Sequence, residues 1–198
     1  MIISINPENP QGRLIKRVVE ILENGGVIAY PTDTQYGLGC DLSQKKAIEK
    51  IYRLKKRDHK VPFSVICADL KHIAEYARVS DYAYRTMKRL LPGPFTFVLP
   101  GSRQMPQIML TKRRECGLRV PGHPIALSLV QALGRPLINT SARLADQPTP
   151  TAAQEVVDLF GGQLDAVIDG GPVPGQPSTL VSLIDDDPII LRQGLGVF

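Results

Sequence analysis

Three cysteines, Cys40, Cys67 and Cys116, are all that the chain contains, and no two of them form a CxxC pair. Its three histidines, His59, His72 and His123, do not stand beside them at zinc-ligand spacing. Reduced thiols are expected, and neither a disulfide framework nor a structural metal site. No apolar run approaches the roughly 20 residues that would span a membrane. The opening stretch, MIISINPENPQGR, lacks the basic start and apolar core of a secretory signal, so a cytoplasmic protein is expected. Several catalytic signatures are missing as well. There is no GxxxxGK[ST], no GxGxxG opening a helix and no GxSxG. Ser/His/Asp hydrolysis therefore has no support.

What is present is an ordinary globular composition, 43% hydrophobic and 22% charged over 198 residues, which suits one domain (1–198) with a sizeable core. The charge is unevenly spread. Residues 45–119 hold 18 of the 24 Lys and Arg but six Asp and Glu, a net +12. The flanking segments, 1–44 and 120–198, are net −2 and −5. A basic middle suits an anionic partner, a nucleotide phosphate or an RNA backbone; solvated helix faces are the plainer alternative.

Hydrophobic periodicity switches repeatedly between helix and strand. Leu14, Val18, Ile21 and Leu22 form one helical stripe that Gly25-Gly26 ends, and 27–30 reads as a buried strand stopping at Pro31. Helices are expected over 44–57, 69–77, 80–91, 125–133 and 151–160, the last capped by Thr149 or Thr151. Strands are expected over 63–68, FTFVLP after the Pro92-Gly93-Pro94 break, 115–121, 136–141, 164–171, TLVSLI and IILRQG. The interleaving, with the last two strands joined by a short acidic turn, predicts an α/β fold whose sheet is mixed.

Four polar clusters fall where strands or helices end, the usual ligand positions of α/β sheets. Pro31–Gly39 places hydroxyls and glycines after a buried strand, either an ordinary turn or a cradle for a carboxylate or phosphate. Lys55-Lys56-Arg57 closes a helix, where basic residues suit the dipole and can also neutralise a polyphosphate. Arg119 interrupts an apolar strand and needs either a ligand oxyanion or an internal carboxylate. Asn139–Ala142, Pro177–Thr179 and Leu191-Arg192 add polar strand ends.

In this order, YPTDTQYGLGCD, IYRLKKRDHKVPFSVICAD, LLPGPFTFVL, GLRVPGHPIALSLV, LINTSA, VIDGGPVPGQPSTLVSL and ILRQG resemble the YrdC-like family, which includes the L-threonylcarbamoyl-adenylate synthases. The resemblance covers residues 12–196. It implies a twisted mixed β-sheet with flanking helices and a basic concave cavity. It also implies a reaction joining bicarbonate, L-threonine and ATP, with Mg2+ accompanying the ATP, that feeds threonylcarbamoyl modification of tRNA. On that analogy Thr32, Thr34, Tyr36 and Arg119 line the threonine side. Lys55 and Arg57, the family's KxR pair, are the catalytic cations. With Ser141, Ser178 and Arg192 they form the nucleotide side, and no protein side chain ligates metal.

Three positions depart from the synthase pattern. The family's SxN reads Ser141-Ala142-Arg143, Ile66 stands where synthases often carry His, and Asp58 replaces a proline. These changes resemble the shorter YciO branch, for which the alternative expectation is a module that binds double-stranded RNA or a nucleotide without full turnover.

Overall fold

The computed structural model describes residues 1–145 and 147–198. Its strands are β1 (Ile2–Ser4), β2 (Ile28–Tyr30), β3 (Gly37–Gly39), β4 (Ser64–Ile66), β5 (Phe95–Pro100), β6 (Glu115–Arg119), β7 (Leu137–Ser141), β8 (Ala166–Asp169), β9 (Thr179–Ser182) and β10 (Ile189–Arg192). Its helices are α1 (Gly12–Glu23), α2 (Lys45–Lys55), α3 (Leu70–Tyr76), α4 (Asp81–Leu90), α5 (Pro124–Leu133) and α6 (Ala153–Phe160). The strands form one sheet in the order β1-β8-β2-β3-β7-β4-β6-β5-β9-β10. Pairs β1–β8, β2–β8, β4–β6 and β5–β9 are parallel and the other five antiparallel. The mixed α/β sheet expected from the sequence is the one observed.

The alternation of side chains along each strand decides what covers each face. Val27, Ala29, Val65, Leu118, Ile138 and Val167 point to one side, where α2, α3, α4 and α6 bury Ile48, Ile51, Ile73, Met87 and Val156 against them. Ile28, Tyr30, Ile66, Leu137 and Ile168 point to the other, beneath Val18 and Leu22 of α1 and Ile125 and Leu129 of α5. Helices α1 and α5 pack on each other, so they cover only part of that second face. The uncovered part carries Ser64, Gly117 and Asn139 in one hydrogen-bonded row, Ser64 being paired with both of the others. Small and polar residues there leave a hollow where a helix would otherwise pack.

Local chemistry explains the element ends. Asp69 and Ser80 cap α3 and α4 by accepting from the His72 and Ala83 amides. Gly134 closes α5 in the left-handed conformation, φ 66°. Helix α6 corrects the expected cap: its N-cap is Ala152, without a side-chain bond, while Thr151 meets Glu155 through both its amide and its hydroxyl. Strands β1 and β3 were not expected. The first lies at the sheet edge with two of its three residues exposed, and β3 is Gly-Leu-Gly.

At the C-terminal end, a Cβ on Gly194 would come within 2.3 Å of the Pro177 carbonyl oxygen and 2.5 Å of the Ser178 carbonyl carbon. Both are backbone, so the chain itself must shift. Gly194→Ala is expected to cost about 1–3 kcal/mol, as other overpacking changes do, whereas Gly12→Ala, with nothing within 4 Å of its Cβ, is expected to stay within about 0.5 kcal/mol of the parent. Urea unfolding of the two variants checks this; equal midpoints would refute the tight approach of residues 177–178 to Gly194.

Candidate functional site

The hollow is a cavity of about 340 Å3, within the range of small-molecule sites. Eight of the nine residues singled out from the sequence line it: Thr32, Thr34, Tyr36, Arg57, Arg119, Ser141, Ser178 and Arg192. Residues from seven separate stretches of chain thus meet on one face.

Arg119 is a buried charge, 2% exposed at the end of β6. Its Nη2 donates to Asp33 Oδ1 at 2.5 Å and its Nη1 to Thr34 Oγ1 at 3.1 Å. Burial works against its charge and Asp33 works for it. Of the two partners open to Arg119, a ligand or an internal carboxylate, the protein supplies the carboxylate while still leaving the residue in the cavity wall. Among the described residues its Nε and the Asp33 Oδ2 are buried without a hydrogen-bond partner, as is His123 Nδ1.

The loop after β2 is locked from several sides. Thr32 Oγ1 donates to the Gln35 carbonyl at 2.7 Å and accepts from the Thr34 and Gln35 amides, a hydroxyl-closed turn. Tyr36 donates to the Gly171 carbonyl at 2.8 Å and is fully buried. Burial pushes its hydroxyl up to about 12, so it stays a donor. Gln35 Nε2 reaches the Gly175 carbonyl at 2.9 Å.

On the opposite wall, Arg192 donates through Nη2 to the Ser178 carbonyl at 2.8 Å, and Ser178 Oγ shares a 2.8 Å bond with Thr96 Oγ1. Burial, then Arg119 and Arg143, disfavours the Arg192 charge. Arg57 follows Lys56, which ends α2 with φ 48°, and its guanidinium lies 5.2 Å from the centre of the Phe63 ring. Phe63 in turn stacks on Tyr52 at 4.1 Å. Among the described residues neither Arg57 nor Arg192 forms an ion pair.

Lys55 is placed differently. It does not line the cavity; its Nζ donates to the carbonyls of Ser141 at 2.7 Å and Arg143 at 2.8 Å. Burial, then Arg57 and Arg143, pushes its pKa down to about 8. Arg143 is exposed, and Ile66 is fully buried in the core beneath α1 and α5. Ile66 pairs with Arg119 across β4 and β6 but is absent from the cavity lining.

Sequence analysis passed over Ser64, Thr96 and Glu115, which also line the cavity. The signal was available: 115, 117 and 119 share one face of a strand, so the face that carries Arg119 also carries Glu115 and Gly117. Among the described residues no group of three or more His, Cys, Asp or Glu converges, and no helix is long and apolar enough to cross a membrane.

The likeness to known proteins follows the same architecture. E. coli (strain K12) YciO, itself uncharacterized, is 41% identical over 194 residues, 97% of this chain and 94% of that one. Its crystal structure superposes with a TM-score of 0.94 at 40% identity, covering 100% of this chain and 97% of that one. The threonylcarbamoyl-AMP synthase of Bacillus subtilis (strain 168) is 34% identical over 193 residues, 96% of this chain but 55% of that longer protein. The crystal structure of Pyrococcus abyssi Sua5 complexed with L-threonine superposes with a TM-score of 0.92 at 32% identity, covering 98% of this chain and 57% of that one. The Sua5/yciO/yrdC family model, described as "Telomere recombination", matches residues 20–194, and with the sheet order, the Arg119–Asp33 pair and the cavity in place, the chain belongs to that Sua5/YciO/YrdC family.

Proposed function

We propose that the chain is a nucleotidyltransferase of the threonylcarbamoyl-adenylate synthase type, taking ATP, L-threonine and bicarbonate and supplying the adenylate for tRNA modification. The observation that carries this reading is the meeting of Arg57 and Arg192, neither paired with a carboxylate among the described residues, with Arg119 and the hydroxyls of Thr32, Thr34, Ser141 and Ser178 in one cavity. Such a set binds phosphate and carboxylate oxygens. It holds no hydroxyl–imidazole pair, and the reaction needs none. The threonine amine takes up CO2 from bicarbonate, water leaves, and the carbamate oxygen attacks the α-phosphorus as the bond to the β-phosphate oxygen breaks and pyrophosphate departs.

Positioning and charge stabilisation then supply the catalysis. Arg57 and Arg192 face the phosphoryl oxygens, with Ser141 and Ser178 beside them. Arg119, held by Asp33, faces the threonine carboxylate next to Thr32 and Thr34. Buried Tyr36 shapes that end of the cavity through Gly171. Lys55 acts by fixing the 141–143 backbone that carries Ser141. Among the described residues the lining contains one carboxylate, Glu115, and no cage for a cation. This donor set fits Mg2+ that arrives on the triphosphate and keeps its water ligands, where it would neutralise charge on the departing pyrophosphate.

A second reading keeps the cavity and removes turnover: a nucleotide- or RNA-binding module, with double-stranded RNA or tRNA along the basic middle of the chain. The exposed Arg143 at a position where synthases carry Asn favours it, since it adds charge and removes an acceptor.

Pyrophosphate release with ATP, L-threonine and bicarbonate separates the two. Threonine-dependent release is expected, reduced at least about 100-fold in Arg57→Ala, as for other losses of a transition-state charge contact. Release that does not depend on threonine, or none at all alongside salt-sensitive RNA binding, would sink the synthase reading.

A bound triphosphate favours the charged form of Lys55, so ATP affinity is expected to be highest below pH 8 and to fall as pH rises through about 8, by at most about tenfold per pH unit for one proton. Titrating ATP into the parent and into Lys55→Arg, whose side chain stays charged throughout, checks this. Parallel pH profiles would exclude Lys55 as the linked group.

A further inference from the structure

Glu115 opens β6 and is, among the described residues, the one acidic residue in the cavity lining. Its carboxylate makes no ion pair and no hydrogen bond among the described residues; only its backbone is tied, the amide to Thr111 Oγ1 at 3.1 Å and the carbonyl to the Thr111 amide at 2.9 Å. A carboxylate in a cavity otherwise lined by arginines and left out of every arginine pair is placed apart from them. Strand geometry says how far apart. Glu115, Gly117 and Arg119 lie on one face, and four residues of extended chain put the first and last about 13 Å apart.

The floor between them is Gly117. A Cβ there would find Thr96 Cγ2 at 3.4 Å and Ser64 Cβ at 3.5 Å, ordinary contacts, so packing alone does not demand glycine. Its effect is to leave the floor open. Val98 pairs with Gly117 across β5 and β6, and Leu180 pairs with Thr96 one strand further on; both line the cavity. The cavity therefore runs from a cationic end at Arg119, over a bare floor with an apolar flank, to an acceptor at Glu115. That arrangement suits a nucleotide whose base lies over β6: phosphates at Arg57 and Arg192 with Arg119 left to the threonine carboxylate, flat ring over Gly117 against Val98 and Leu180, base edge at the Glu115 carboxylate.

We propose that Glu115 selects the nucleobase, accepting a hydrogen bond from the exocyclic amine of a purine such as adenine, with Gly117 providing the seat for the ring. This rests on the nucleotide reading of the cavity and adds to it the residue that reads the base. A carboxylate is an acceptor only, so a base with no donor on that edge leaves it unpaired.

The test is calorimetric titration of the whole chain with ATP, with purine riboside triphosphate, which lacks the 6-amine, and with inorganic tripolyphosphate. The parent is expected to bind ATP about tenfold tighter than the purine riboside analogue, the scale of one charge-assisted hydrogen bond. In Glu115→Gln that ratio is expected to fall to about two, with tripolyphosphate affinity unchanged. Gly117→Ala, which the packing tolerates, is expected to weaken both nucleoside triphosphates and spare tripolyphosphate. A parent that binds both nucleotides equally, or a ratio untouched by Glu115→Gln, overturns the role of Glu115 while leaving a nucleotide site standing. Failure of the parent to bind any of the three ligands overturns the nucleotide reading itself, and this inference with it.

Discussion

The pairing of Arg119 with Asp33 is the contact on which the site depends. An arginine placed at the end of a central strand with 2% of its surface exposed is tolerable only with a partner, because an unpaired buried charge is costly to a fold. Asp33 is delivered by the loop that follows β2, with three strands between β2 and β6 in the sheet. The ion pair therefore ties that loop across the sheet, and Thr34, bonded to the same guanidinium, comes with it. The pair is no simple gain in stability, since desolvating two charges offsets most of their attraction. What it supplies is placement: two threonines and an arginine converge on one wall.

The same economy of covering explains why there is a cavity at all. A sheet of ten strands presents more surface than two packed helices can shield. On the face opposite the main core, α1 and α5 shield the strands from β1 to β7 and the end of β4. Beyond them the sequence does not supply a third helix; it supplies Ser64, Gly117 and Asn139 on the strands, and arginines from the rim. Apolar side chains in those positions would leave an exposed hydrophobic patch. Polar and absent side chains make the uncovered area a wettable hollow, and the cations at its edge make it receptive to anions.

This division also shows what the sequence reveals and what it conceals. Every helix was legible, because each has an apolar stripe long enough to repeat, as in Leu14–Leu22 or Ala47–Leu54. Strands β1 and β3 were not, since β1 lies at the sheet edge with two of its three residues exposed and β3 has glycine at both ends. Arg119 was legible as an anomaly within an apolar strand, but its partner was not: Asp33 lies 86 residues earlier, and only the fold brings them together. Lys55 has partners that its neighbours in sequence do not announce: its place beside Arg57 suggested a contact with phosphate, and the fold brings its Nζ to the carbonyls of Ser141 and Arg143, 86 and 88 residues further along. The cap of α6 was missed for a local reason. Thr151 sits one residue before the N-cap and turns its hydroxyl to Glu155.

The exchange of Asn for Arg at 143 looks, in the sequence, like damage to a nucleotide contact. The structure divides its consequences. Lys55 reaches residue 143 through the carbonyl oxygen, which every amino acid possesses, so the anchoring of the 141–143 backbone survives the exchange. What the side chain changes is the field. Its positive charge is among the causes that lower the pKa of both Lys55 and Arg192, so it raises the cost of keeping those groups charged while the cavity is empty. A polyanion relieves that repulsion, and the relief is larger with Arg143 than with a neutral residue. The substitution thus favours binding of the more highly charged ligand. In an adenylating reaction that ligand is the triphosphate on the way in and pyrophosphate on the way out.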